Sequence, residues 1–433
     1  MGNRLQGWGL EVLSRIAGAD WPDRLGLRRP MEKALYQGSR QGFHWASAAA
    51  KRFTSRQGPR NRLNTATASG LFDLSLSDEQ QQMCDSLGRF AREWLYPQAH
   101  DADAQAALPA DLLAASQELG LALYAVSEAH GGMATENSTV TQTLIAETLA
   151  QGDYSLAVAL LSTISVANAI TRWGSGPQQA SYLPAFLDDN KPLRACMAVM
   201  EPEALFNPMH LATTAVRQGQ GYVLNGHKSM VLGAAEADLM LVAAHTESGP
   251  AVFIVECQQQ GLGWREAPAM GLRAAATADV VLDHVHVNLE AKLGDADFDY
   301  STFLDYGSLG WCAMATGCCQ AVLDYVIPYC NEREAFGEPI SHRQGVAFMI
   351  ANMAVELESM RIMTWRAAAR AEQGLDFHRE AYLARLLCTE KAMQIGTDGV
   401  QLLGGHGFTK EHPVERWYRD LRATGLMWGG LHL

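Results

Sequence analysis

The stretch Tyr222-Val-Leu-Asn-Gly-His-Lys-Ser-Met230 decides the architecture of this chain. Apolar residues precede Asn225-Gly226 and a mainly polar run follows it, and Asn-Gly is a strong short-range signal for a two-residue hairpin turn. The sequence therefore predicts a strand, a turn and a second strand here. Further short, strand-like runs rich in apolar and β-branched residues follow at Leu239–Ala243, Ala251–Glu256 and Val280–Val287. Together they predict a compact β unit of about 100 residues.

The segments on either side of this β unit have helical spacing instead. Ser77-Asp78-Glu79 predicts a helix start, because Ser is a favoured N-cap and acids suit the first turn. Val140–Ala150 and Leu156–Trp173 are mostly apolar and do not alternate. After the β unit, apolar residues recur at helical spacing at Val346, Met349, Ile350, Met353, Leu357 and Met360.

These changes of period divide the chain into four parts and predict an α+β fold. The predicted parts are a basic helical extension and linker (1–70), an N-terminal all-α domain (71–192), a middle β-barrel or β-sandwich domain (193–296), and a C-terminal α-helical bundle (297–433). The chain ends at Leu433, which is where we expect the bundle to lack its last helix, and the basic extension is a candidate to fill that groove.

Composition and charge exclude several classes of protein. Hydrophobic residues make up 48% of the 433 residues and charged residues 19%, which excludes disordered, collagen-like and disulfide-scaffold proteins. No uninterrupted apolar run reaches the roughly 18 residues of a membrane span. Residues 1–70 carry a net charge of +8, so the remainder of this −13 chain carries −21. A body this acidic argues against nucleic acid as a partner.

The basic extension and the cysteines bear on location. Glu11 and Arg15 interrupt any apolar core that a secretory signal needs, and the eight cysteines form no C-x-x-C pair. We expect reduced, buried and structural cysteines, a cytoplasmic protein and no metal site. The extension is expected to pack on the body or on a partner subunit. Peripheral contact of residues 1–60 with an anionic membrane surface is the alternative.

Three further motifs occur in a fixed order and carry a resemblance. They are Met270-Gly-Leu-Arg273, Arg333-Glu-Ala-Phe-Gly-Glu-Pro-Ile-Ser-His-Arg-Gln344, and Asp398-Gly-Val-Gln-Leu-Leu-Gly-Gly-His-Gly-Phe408 followed by Pro413-Val-Glu-Arg-Trp-Tyr-Arg-Asp420. Their residues and spacing, over roughly residues 72–430, resemble those of the acyl-CoA dehydrogenases. The resemblance implies FAD, an acyl-CoA substrate, a homodimer or homotetramer, and an electron-transfer flavoprotein as acceptor.

The resemblance also implies roles for particular residues. In this family the β domain and the C-terminal bundle hold FAD, and a two-fold partner completes each site. Arg333 would pair with the pyrophosphate, Phe336 would stack on the flavin or adenine side, and two glycines would let the backbone approach closely. The implied cofactor-binding residues are Arg333, Phe336, Gln344, Gln401, Gly404 and Gly405.

The family reaction is α,β-dehydrogenation of a thioester, and the sequence departs from the family at the base that this reaction needs. A carboxylate usually stands eight residues after the Arg-Asp pair, where this chain has Trp428. A minority of the family places it on the first long C-terminal helix, at the position of Gly307. An indole N–H only donates and cannot accept a proton. The weak substitutes are Asp305, which two residues of helix turn away from Gly307, and Glu201, which a structural role suits better.

The side of the site that faces the flavin is altered as well. The family's Thr before Glu201 is replaced by Met200, and a Trp-Ile-Thr run is replaced by Met230-Val231-Leu232. Three readings follow: an acyl-CoA dehydrogenase that is impaired or uses a relocated base, a catalytically silent scaffold or partner subunit that keeps FAD or CoA, and another flavin oxidation on the same fold.

Overall fold

The computed structural model describes residues 75–134, 138–188, 190–295, 297–429 and 431. The predicted extension over residues 1–70, with its groove-filling and membrane-contact roles, lies outside the described residues. Six helices precede the sheet within the described range: α1 (Asp78–Phe90), α2 (Tyr96–Gln105), α3 (Ala110–Glu118), α4 (Thr139–Ala150), α5 (Tyr154–Trp173) and α6 (Gly176–Tyr182). The predicted helix start is confirmed, because Ser77 and Gln80 form a reciprocal capping box.

The predicted β unit is confirmed as a seven-stranded sheet. Its strands are β1 (Ala195–Ala198), β2 (Thr214–Gln218), β3 (Gly221–Leu232), β4 (Leu239–Thr246), β5 (Gly249–Glu256), β6 (Leu262–Glu266) and β7 (Thr277–Asn288). Their order is β1-β4-β2-β3-β7-β6, and β5 pairs with β4. A separate apolar cluster fills this domain, with Leu224, Val242, Phe253 and Val285 among its fully buried members.

The predicted hairpin at Asn225-Gly226 is wrong, because β3 runs through it as a single strand. The register with β7 shifts at this point, so the dipeptide forms a bulge. The Asn225 side chain stabilises the bulge by accepting a hydrogen bond from the backbone N–H of His284 at 2.9 Å. The turn that the sequence missed lies just before, where β2 and β3 are joined through Gly219 with φ of 58°.

Helices return after the sheet and form the C-terminal bundle. They are α7 (Tyr300–Glu332), α8 (Gln344–Glu372), α9 (His378–Leu403), α10 (Val414–Leu421) and α11 (Ala423–Leu426), with two short strands, β8 (Glu334–Ala335) and β9 (Glu338–Pro339), between α7 and α8. At 33 residues, α7 is about 50 Å long, and it continues past Pro328. This helix therefore reaches from one end of the bundle to the other.

The Met-Gly-x-Arg and Arg-Asp motifs contact each other and join the β domain to the bundle. The backbone N–H of Leu272 donates to Asp420 Oδ1 at 2.7 Å. A Cβ at Gly271 would lie 2.4 Å from the carbonyl oxygen of Arg419, so only glycine permits this approach. Arg419 in turn binds both carboxylate oxygens of Asp103 on α2, at 2.8 and 2.9 Å. Residues from three parts of the fold are thus held together here.

Helix α5 is the described helix that is long and apolar enough to cross a membrane by length and composition. Of its most apolar window, 61% is buried inside the protein. Its side chains pack against α7, where Trp173 meets Phe303 at a ring distance of 5.6 Å and Tyr154 meets Trp311 at 6.5 Å. We therefore interpret α5 as a core helix that packs against α7.

Candidate active site

A cavity of about 190 Å³ lies between α4, α5, α7 and the first residues of the β domain. Apolar side chains of β1 and β3, Met197 and Leu232, form one side of it, and the turn at Met427 and Trp428 closes it. Residues of α7 line it at helical spacing: Phe303, Tyr306, Gly307, Gly310, Trp311 and Met314. No Asp or Glu of the described residues lines this cavity.

The polar groups of the cavity wall are largely engaged with one another. Gln142 donates to the carbonyl oxygen of Tyr124 at 2.6 Å, and Asn168 donates to the Gln142 amide oxygen at 3.0 Å. Arg172 is the charged side chain among the lining residues, and its guanidinium donates to the Tyr306 hydroxyl at 2.9 Å. Burial lowers the pKa of Arg172. These groups supply hydrogen bonds, but none is placed as a proton acceptor.

The structure brings Trp428 and Gly307 into direct contact. A Cβ at Gly307 would lie 1.9 Å from Cζ3 of the indole, so the ring occupies the space of a side chain at that position. The indole also stacks on Phe303, with a ring distance of 5.5 Å and an angle of 19°. The two positions at which the sequence resemblance expects a carboxylate are therefore neighbours in space. Position 428 carries the indole, and position 307 has no side chain, so the indole fills the space beside it.

The turn that carries Trp428 has an unusual backbone. Trp428 has φ of 68°, which is uncommon for a bulky residue, and Gly429 follows with φ of 64°. A Cβ at Gly429 would lie 2.3 Å from the carbonyl oxygen of Phe206, so the turn packs tightly against the β-domain loop. The backbone N–H of Trp428 has no acceptor among the described residues. A hydrogen-bond donor is thus left over at the border of the cavity.

Asp305 faces away from the cavity, as its helical position predicts. Its carboxylate binds Nδ1 of His378 at 2.9 Å, and it is not among the lining residues. Burial raises the pKa of Asp305, while its hydrogen bond to His378 raises the pKa of the imidazole. This pair joins α7 to the start of α9 and does not reach the reacting space.

Glu201 is a structural carboxylate. It is 3% exposed and accepts hydrogen bonds from the backbone N–H groups of Ala212 and Thr213, at 2.7 and 2.9 Å. The Lys228 ammonium lies 2.8 Å away. Burial alone would raise the pKa of Glu201, but the ammonium and the N–H of Thr213 bring it below its usual value. Burial lowers the pKa of Lys228 to about 8.

Arg385 is a residue near the site that the sequence reasoning missed. This guanidinium is 3% exposed, donates to Ser308 Oγ at 3.3 Å and to the carbonyl oxygen of Met427, and leaves its Nε without a partner. No carboxylate of the described residues pairs with it, and burial lowers the pKa of Arg385. Its signal in the sequence is position, since it recurs at helical spacing with the buried residues Ala381 and Cys388.

The six residues implied for cofactor binding lie together at the other end of the bundle. Phe336 is 96% exposed, and the remaining five are exposed as well. A hydrogen bond of 3.0 Å between the Tyr329 hydroxyl and His406 joins the loop after α7 to the turn after α9. The six are Arg333, Phe336, Gln344, Gln401, Gly404 and Gly405.

This surface, which we call the motif face, fits a phosphate-bearing ligand. The Arg333 guanidinium forms no ion pair with a described residue, and a Cβ built at Gly404 or Gly405 meets nothing within 4 Å. A free cation beside open backbone suits a pyrophosphate. From Gly307 to Arg333 are 26 residues of α7, or about 39 Å at 1.5 Å per residue. The motif face and the cavity of one chain are thus far apart.

The cysteines are free thiols, as predicted. Six are buried, but Cys84 and Cys257 are half-buried, so the expectation that all are buried is wrong for these two. Among the described residues, no three His, Cys, Asp or Glu side chains are grouped as a metal site.

Sequence and structure comparisons point to one family. The chain matches the acyl-CoA dehydrogenase N-terminal domain over residues 77–190, the middle domain over 196–285 and the C-terminal domain over 300–430. It is 34% identical over 361 residues to a probable short/branched chain specific acyl-CoA dehydrogenase of Dictyostelium discoideum, covering 81% of this chain and 86% of the relative.

Solved structures agree with the sequence relatives. Butyryl-CoA dehydrogenase of Megasphaera elsdenii superimposes with a TM-score of 0.76 at 27% identity, covering 83% of this chain and 97% of that structure. PigA in complex with FAD superimposes with a TM-score of 0.76 at 25% identity, covering 83% and 96%. The arrangement of helical domain, curled sheet and helical domain is the same as in these neighbours.

Proposed function

Because the chain belongs to the acyl-CoA dehydrogenase family, whose members are FAD-dependent oxidoreductases acting on CH–CH bonds, we propose that it binds a short or branched acyl-CoA thioester in the cavity and removes the α-proton poorly. The cavity volume of about 190 Å³ lies below the roughly 300–1,000 Å³ of drug-sized pockets, which favours a small acyl group. The short/branched-chain relative supports the same choice of acyl group.

One observation carries the proposal of impaired proton removal: the indole of Trp428 fills the space over Gly307, and no carboxylate lines the cavity among the described residues. FAD, when bound, supplies the hydride acceptor. The chain itself supplies an apolar cavity and a backbone N–H at Trp428 that has no acceptor among the described residues and can donate to the thioester carbonyl, which acidifies the α-carbon. Loss of a general base costs about 10²–10⁴ in rate.

The visible spectrum of the purified protein, recorded before and after anaerobic addition of butyryl-CoA, tests the proposal. We expect a flavin band that shifts on binding and bleaches slowly. Rapid bleaching would contradict the impairment and would require a base elsewhere. A preparation that shows no flavin band, and that FAD does not restore, would contradict cofactor binding.

The 39 Å separation along α7 supports a cofactor site shared between subunits. The motif face of one chain would hold the pyrophosphate and adenosine of an FAD whose flavin lies at the cavity of its partner, in a homodimer or homotetramer. Arg333→Met should then lower the FAD content of the purified protein, whereas Arg379→Met, an exposed arginine on α9, should leave it unchanged. Light scattering of both variants reports the oligomeric state.

We place this protein in the cytoplasm, with an electron-transfer flavoprotein or similar acceptor as its redox partner. Peripheral membrane contact through residues 1–60 is the alternative to packing of this extension on the body or on a partner subunit. Vesicle co-sedimentation of the full chain with anionic and neutral lipids separates the two: retention on anionic vesicles alone would support membrane contact, and no retention on either would support packing.

The second candidate is a catalytically silent subunit that keeps FAD or acyl-CoA as a ligand. The open motif face favours it, because that surface is preserved although the carboxylate positions are lost. A flavin band that persists indefinitely with short, branched and longer acyl-CoAs would favour this candidate over slow turnover.

A further inference from the structure

Arg385 is a buried cation that has no carboxylate partner among the described residues, and such a charge is costly. Buried charges in proteins are normally paired, because desolvation of a lone ion costs several kcal/mol. Arg385 is 3% exposed, and its partners are the carbonyl oxygen of Met427 and the hydroxyl of Ser308. Both partners adjoin the reacting space, since Ser308 follows Gly307 and Met427 precedes Trp428.

The peptide between Met427 and Trp428 connects this cation to the cavity. The carbonyl oxygen of this peptide accepts a hydrogen bond from Arg385. Met427 and Trp428 both line the cavity, whereas Arg385 does not. No described peptide bond is cis, and in a trans peptide the carbonyl and the N–H point in opposite directions. The N–H of Trp428 is therefore directed away from Arg385, and it has no acceptor among the described residues.

We propose that Arg385 is a positioning residue that orients and polarises the Met427–Trp428 peptide, so that the Trp428 N–H donates a strengthened hydrogen bond to the carbonyl oxygen of the bound thioester. A charged donor on a peptide carbonyl draws electron density from the amide and strengthens its N–H as a donor. The low dielectric of the interior strengthens this effect, and no carboxylate competes for the guanidinium. The inference rests on the proposed binding of an acyl thioester.

The indole and the N–H of Trp428 thus have separate consequences for the reaction. The indole side chain cannot accept the α-proton, whereas the backbone N–H can still stabilise negative charge on the thioester carbonyl oxygen. This separation explains why a buried arginine remains beside a position that carries no acid, since its partner is the peptide carbonyl and not a carboxylate.

Infrared spectroscopy of the bound thioester tests the proposal without turnover. The probe is pivaloyl-CoA carrying ¹³C at the thioester carbonyl, which has no α-hydrogen and cannot be dehydrogenated. Bound to the holoenzyme, its carbonyl stretch should move to lower frequency than in water. In Arg385→Met, this downshift should shrink by about a fifth or more, since each hydrogen bond strengthens the next by roughly 10–30%.

Two further variants separate polarisation from structure. Arg385→Lys keeps the charge and should retain most of the downshift, whereas Arg379→Met, exposed on the same helix, should leave it unchanged. If Arg385→Met does not fold, Arg385→Gln takes its place, because the neutral amide can still donate a hydrogen bond but carries no charge, and its downshift should be smaller than that of Arg385→Lys.

Equal downshifts in the wild type and in a folded neutral variant, Arg385→Met or Arg385→Gln, would overturn the role of Arg385 while leaving thioester binding intact. Absence of any binding heat for pivaloyl-CoA and for butyryl-CoA would instead overturn the proposed function, and this inference with it.

Discussion

Replacement of Trp428 by Glu should raise the dehydrogenation rate. The indole lies against Gly307 and stacks on Phe303, so its removal opens the space in which a carboxylate can approach the acyl α-carbon. A general base contributes about 10²–10⁴ in rate, and we expect a gain within this range. The lost aromatic pair costs about 0.5–1.5 kcal/mol beyond its burial, so the variant should be slightly less stable.

The assay is the initial rate of anaerobic flavin bleaching with butyryl-CoA. Trp428→Gln is the matched control, because it opens the same space without supplying a base. Equal rates for the Glu and Gln variants would refute the reasoning, since they would show that space and not the carboxylate limits the reaction.

Gly307→Glu provides a second test of the same geometry. With Trp428 in place, a Cβ at position 307 would lie 1.9 Å from the indole, so this variant should gain no activity and should lose stability. Combined with Trp428→Ala, the same substitution should raise the rate. A gain in the single variant would show that the indole does not hold the position described here.

Three further predictions concern stability. Lys228→Met strands a buried carboxylate and should lower the free energy of unfolding by about 3–5 kcal/mol in urea titrations, and a smaller loss would show that the pair is dispensable. Gly271→Ala should lower the melting temperature through a Cβ placed 2.4 Å from a backbone carbonyl, whereas Gly263→Ala, with nothing within 4 Å, should not. Asp305 raises the pKa of His378, so the protonated pair stabilises the fold fully below the unfolded pKa of about 6.5 and loses this effect as the pH rises through the folded pKa. The difference in free energy of unfolding between the wild type and His378→Gln should therefore shrink as the pH rises. A constant or growing difference would count against the pair.

The order of helices and strands could be predicted from the sequence because it depends on local period. The helix start at Ser77 follows from its N-cap, and the strands from Leu239 to Val287 follow from short runs rich in apolar and β-branched residues. The prediction of a turn at Asn225-Gly226 was wrong because it rests on a local preference, whereas the conformation of this dipeptide depends on β7. That strand supplies the His284 N–H that holds a bulge in place of a hairpin.

The candidate site was predictable only as far as position along the chain allows. Helical geometry correctly predicts that Asp305 points away from Gly307. It does not predict that Trp428, 121 residues later, fills the space beside that glycine. Arg385 was missed for the same reason, because its importance comes from the carbonyl of Met427 on another helix-terminal turn. Contacts between distant segments carry this information, and no periodicity records them.

The length of α7 has a genetic consequence. In the proposed shared-site arrangement, each chain would contribute its cavity to one site and its motif face, about 39 Å away, to another. A chain whose cavity is defective can therefore still complete a neighbour's site, and two alleles damaged at opposite ends of this helix should complement each other when co-expressed. Mixed oligomers of an Arg333 variant and an Arg385 variant would regain one site in each pair with both residues present.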